Sequence, residues 1–204
     1  AIEVAVDPRI ELLAVVQCLA DDDQLNHLEL AYRREILERF APWRDHPAVT
    51  LYARMARDGF TRDAPPAVML RLADPPALEL RAPFTVALEA RAGGRLVLFA
   101  FLDSLRDFAA ASRFAEFHAA HEAEFRGLAR AARRALRRVR VVAPLEDYFG
   151  VRGHGYRLTL APLFHTGGFA ARVERPPGAV DCHAIIGPER ASRGRPRFWK
   201  PDAL

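Results

Sequence analysis

Tyr156-Arg157-Leu158-Thr159-Leu160 is the stretch whose reading decides the fold class. Apolar and polar side chains alternate along it, which is the two-residue period of a strand with one buried face. Two later runs, residues 168–173 and 182–186, are the other strand candidates. The run Gly150-Val151-Arg152-Gly153-His154-Gly155 just before the first strand reads as a turn. It is not a phosphate-binding loop, because no Gly-Lys-Ser/Thr follows and it opens a strand, whereas phosphate cradles open a helix. Residues 188–201 are polar, with Pro and Arg, and read as an extended loop.

Upstream of residue 144 the period changes to that of helices. Residues 1–6 suggest one short strand, and then Asp7-Pro8 forms a helix start, with Asp as the cap and Pro in the first turn. That helix is expected to run to about residue 20. A second is expected over 24–40 from Leu25, Leu28, Tyr32, Ile36, Leu37 and Phe40, ending before Pro42. A third runs from Pro47 to a closing Gly59, and a short one spans 67–73 before the break at Asp74-Pro75-Pro76. After a loop holding Pro83 and Gly93-Gly94, two long helices follow, over 96–111 and, capped by Ser112, to about residue 138. Helices first and strands later predict an α+β fold: a helix-rich N-terminal two-thirds (1–143), then a small C-terminal sheet (144–204), in a single domain over 1–204.

Half of the 204 residues are apolar and 27% are charged, so the chain can bury a core without staples. The formal net charge is +4 and the isoelectric point near 9.6. Almost all the positive charge is arginine, with Lys200 the only lysine, which points to base composition rather than to a nucleic-acid partner. No run reaches the roughly 18 apolar residues of a membrane span. The chain opens on Ala1, as it would if an export signal had been removed. Cys18 reads as a buried thiol, and a disulfide to Cys182 is open if the compartment is oxidising.

No motif completes a catalytic set. His118 and His121 stand three apart, and His121-Glu122 begins the two-histidine zinc helix, but Phe125 occupies the position of the second ligand. The bland reading is a histidine pair flanking the core. The arginines at 130, 133, 134, 137, 138 and 140 lack interleaved aromatics and read as a solvated helix face. His46, His154, His165 and His183 are single histidines near loops or strands, and a triad is recognised by geometry that spacing does not give.

Several stretches in order resemble a bacterial family known as a domain of unknown function, number 4932. They are Pro8-Arg9-Ile10-Glu11-Leu12-Leu13 with Leu19-Ala20; Tyr32, Phe40 and His46-Pro47-Ala48-Val49; Phe101-Leu102, Leu105, Phe108, Phe114, Phe117 and His121; then Tyr148-Phe149-Gly150 and Ala184-Ile185-Ile186-Gly187. The resemblance implies a zincin-like scaffold and zinc-dependent metallopeptidase chemistry. In that family a helix bearing His-Glu-x-x-His comes next, whereas this sequence stops at Phe198-Trp199-Lys200-Pro201-Asp202-Ala203-Leu204. No zinc ligand and no catalytic residue is therefore carried over. Zinc is expected in the complete protein and not in this chain. The resemblance further implies that residues 182–187 form a strand beside the missing helix, with His183, Ala184, Ile185 and Ile186 lining a cleft for a peptide or protein substrate. The alternatives are a non-catalytic helical binding module and, behind it, a phosphate or nucleic-acid binder acting through the arginine-rich helix.

Overall fold

The computed structural model describes residues 2–150, 152–175 and 178–198. The chain begins with strand β1 (Ile2–Ala5) and enters α1 (Pro8–Leu19), where the Asp7 carboxylate accepts from the Arg9 amide at 2.9 Å and Pro8 fills the first turn. Every residue of α1 from Ile10 to Leu19 is buried, so the helix is enclosed on all sides, by α2 (Ala31–Phe40), α3 (Pro47–Arg57), α4 (Ala64–Met69) and α7 (Phe114–Ala120) among others. Burial of Glu11 in the middle of it pushes that carboxyl up to about 8. The Tyr32 hydroxyl lies near enough to favour the ionised form, but neither carboxylate oxygen has a partner in hydrogen-bond geometry.

The rest of the helical layer is α5 (Val86–Arg91), α6 (Arg95–Ala111), α8 (Glu122–Leu136) and α9 (Val142–Phe149). Strands β2 (Gly155–Leu160), β3 (Gly167–Arg175) and β4 (Ala179–Gly187) complete the main sheet, and β5 (Arg190–Ser192) pairs with β6 (Arg195–Arg197) in a separate hairpin. The sheet order is β1-β2-β4-β3. β1, β2 and β4 run parallel, and β3 is antiparallel at one edge. One hydrophobic cluster runs from α1 through the helices to Leu160, Val173 and Ile185 of the sheet.

The α+β architecture agrees with the sequence reading, and the differences have local causes. Residues 24–30 are not helical: Leu25 bridges to Phe164, and the Asn26 side chain donates to the carbonyls of Pro162 and Phe164, both at 2.8 Å. Long-range pairing there outweighs a helical pattern. The short helix begins at Ala64 because Pro65 and Pro66 suit a first turn, which leaves 70–73 outside it. The expected long helix over 112–138 is two helices, broken at His121. Ser112 does not cap it; Arg113, in the left-handed region at φ 57°, precedes Phe114 instead. α5 and α9 replace expected loop and strand, and the expected loop over 188–201 contains the β5–β6 hairpin, with 199–201 outside the described residues.

Candidate functional site

β4 carries the four residues expected to line a cleft, and its position corrects that expectation. It is hydrogen-bonded on both sides, to β2 through Asp181–Ile186 and to β3 through Ala179–Gly187. No extended substrate can add to a strand with both edges taken. Nor do the four side chains share a surface, because alternate residues face opposite ways. His183 and Ile185 are buried on one face, while Ala184 is exposed and Ile186 half-buried on the other. Among the described residues, the outer edges of the sheet belong to β1 and β3. An Arg133 Nη2 donates to the Val4 carbonyl of β1 at 2.8 Å.

His121, His46 and His165 hydrogen-bond within the fold, while the buried Nε2 of His118 has no hydrogen-bond partner. His121 directs Nδ1 to the Phe117 carbonyl at 2.9 Å and Nε2 to a Glu35 carboxylate oxygen at 2.8 Å. Both ring nitrogens thus lie against protein oxygens, one of which a metal ion would have to displace. His118 lies between the rings of Phe114 and Phe125, and burial pushes its pKa down. Among the described residues no three His, Cys, Asp or Glu side chains are gathered to hold a metal ion. His46 caps α3, accepting from the Ala48 amide at 3.1 Å, and faces Asp107 at 3.1 Å. His165 bonds the adjacent Thr166 carbonyl. Gly150 ends α9 in the left-handed region and Gly153 also has positive φ, which makes the glycine run a turn; Val151 lies outside the described residues. The arginines at 130, 133, 134, 137, 138 and 140 are exposed. Cys18 and Cys182 are both free thiols.

The face of β4 that carries His183 opens on a cavity of about 400 Å³. Its floor is built by register: Arg157 of β2 stands directly beside His183, and Asp181 follows two residues before it on the same face. Arg9, from the first turn of α1, forms another wall, with its guanidinium making four hydrogen bonds. It pairs with Asp7 at 2.6 Å and 2.9 Å, and donates to the carbonyls of Leu70 and Leu72 at 3.2 Å and 2.9 Å. Arg157 reaches Glu3 at 2.7 Å and, more loosely, Asp181 at 3.5 Å. Leu70, Leu72, Ala82 and Val173 supply apolar wall, and Arg81 stands at the exposed rim. His183 is 5% exposed and its Nδ1 has no hydrogen-bond partner. Burial, with the Arg9 and Arg157 cations, lowers its pKa to about 4, so the ring is neutral at pH 7. The sequence singles out His183, but Arg9, Arg81, Arg157 and Asp181 join it only through sheet register and the fold of 70–82.

The fold defines an α+β protein with a short, mostly parallel sheet closed by an antiparallel edge strand. The family model described as a domain of unknown function (DUF4932) matches residues 2–195, and the chain belongs to that family. No curated protein and no solved structure matches it. No helix among the described residues is long and apolar enough to cross a membrane.

Proposed function

We propose that this chain is the non-catalytic scaffold portion of a zinc-dependent metallopeptidase-like domain, with a zincin-like sheet. The observation that carries the reading is the edge strand β3. It is antiparallel to its neighbour in an otherwise parallel main sheet, and its outer side is free of any partner strand among the described residues. An extended peptide recognises such an edge by adding a strand, with main-chain hydrogen bonds for affinity and side-chain positions for selectivity. The substrate-pairing role moves from β4 to β3, residues Gly167–Arg175.

The histidines and carboxylates of this chain do not fit a zinc site, since His121 is engaged on both nitrogens and no ligand trio is gathered among the described residues. In this reading zinc is held by residues outside these 204, and this chain supplies the sheet and one cleft wall. Amide hydrogen exchange in the presence of an extended, uncharged peptide tests the edge. Protection of alternate β3 amides is the expected result. Protection confined to other segments, or none at saturating peptide, removes the support.

A further inference from the structure

We propose that the cavity between the start of α1, the 70–82 segment and the sheet is a binding site for a small organic monocarboxylate, separate from the peptide edge of β3. A volume of about 400 Å³ falls within the range of small-molecule sites, roughly 300–1,000 Å³. Apolar walls of Leu70, Leu72, Ala82 and Val173 suit a ligand with a hydrocarbon body rather than an inorganic ion.

The polar end of the ligand is specified by the cations on the cavity wall. His183 lines the same wall as Arg157, and its Nδ1 is buried without a hydrogen-bond partner. A carboxylate held among these walls faces the guanidinium of Arg157, with Arg81 at the mouth and the His183 ring alongside. Arg9 contributes mainly charge, because four of its five N–H donors go to Asp7 and to two carbonyls.

The charged groups facing His183 set the sign and size of the ligand charge. They are Arg9 with Asp7 from α1, Arg157 from β2, Asp181 from β4 and Arg81 from the 70–82 segment. Among the lining residues the cations Arg9, Arg81 and Arg157 outnumber the carboxylate of Asp181, and Glu3, Glu79 and Asp74 pair with them from outside the cavity. Asp181 at the floor opposes a dianion. A single negative charge matches this balance, and an ammonium ligand would meet the lining arginines.

Imidazole NMR of the 204-residue chain tests the site, with butyrate and benzoate as probes and inorganic phosphate and butylamine as controls. The expected result is a saturable shift of the His183 signals with the carboxylates alone, together with an upward move of the His183 pKa. Arg157→Gln weakens this binding about tenfold, the loss of one charge-assisted hydrogen bond. Arg81→Gln, on the exposed rim, gives a smaller loss and guards against a folding defect in the first variant. Absence of a saturable shift with both carboxylates overturns the proposal. So does an equal shift with phosphate or butylamine, or affinity unchanged in both variants.

Discussion

The Nη2 of Arg71 lies 2.9 Å from the carbonyl oxygen of Arg172, joining the end of the α4 turn to the middle of the edge strand β3 across 101 residues of sequence. The same guanidinium donates to the Ala67 carbonyl at 2.7 Å and the Pro83 carbonyl at 3.2 Å. A side chain only 7% exposed thus holds three main-chain acceptors and ties the helical layer to the strand proposed to receive peptide.

Arg71→Ala removes three charged-donor bonds and leaves buried carbonyls unpaired. Stability falls by about 3 kcal/mol or more in denaturant melts. Exchange of β3 amides accelerates more than that of α6. Arg71→Lys does not restore the wild-type value, because an ammonium cannot span three divergent carbonyls.

Glu11 and His183 give the stability a pH signature. The Glu11 carboxyl moves from 4.5 to about 8 on folding. Between those values the folded chain holds a proton that the unfolded chain has lost, so this group's contribution falls as pH rises. His183 moves from 6.5 down to about 4, and there the unfolded chain holds the extra proton, so its contribution rises with pH. The two oppose each other between about 4.5 and 6.5, and from 6.5 to 8 Glu11 acts without opposition from His183. A decline of about 1 kcal/mol per pH unit is expected in that upper window. Glu11→Gln flattens it. An identical slope in the variant would refute the assignment to Glu11.

Gly187 admits no side chain. A Cβ there would overlap the backbone oxygens of Phe164 and His165, in the segment that bridges to Gly187 through Thr166. Backbone cannot move aside as a flexible side chain can. Gly187→Ala therefore costs about 3 kcal/mol or more and lowers Tm sharply, with its largest exchange effect at 164–168.

The elements legible in the sequence are those whose signal is local. Asp7-Pro8 marks the start of α1 because cap and proline act within one turn. Gly59, with φ 108°, closes α3 in the same local way. The alternation from Tyr156 places β2, and the α+β order follows from the positions of such elements. The errors arise where distant chain decides. Leu25 and Asn26 leave a helical pattern to pair with residues 162–164, and the order β1-β2-β4-β3 puts β4 inside the sheet. The candidate site behaves likewise. His183 is visible as a lone histidine, but its meaning depends on Arg157 standing beside it in register and on Arg9 arriving from the first helix. The resemblance implied a substrate-lining strand at residues 182–187, and that strand is paired on both sides.

Chelator-sensitive peptide hydrolysis, measured in parallel on the 204-residue chain and on the natural gene product that contains it, tests the scaffold reading most directly. The expected result is no hydrolysis from the 204 residues, and zinc-dependent hydrolysis from the gene product that is lost on chelation and regained with zinc. Chelator-sensitive hydrolysis by the 204-residue chain itself, or a gene product with neither bound zinc nor activity, would contradict it.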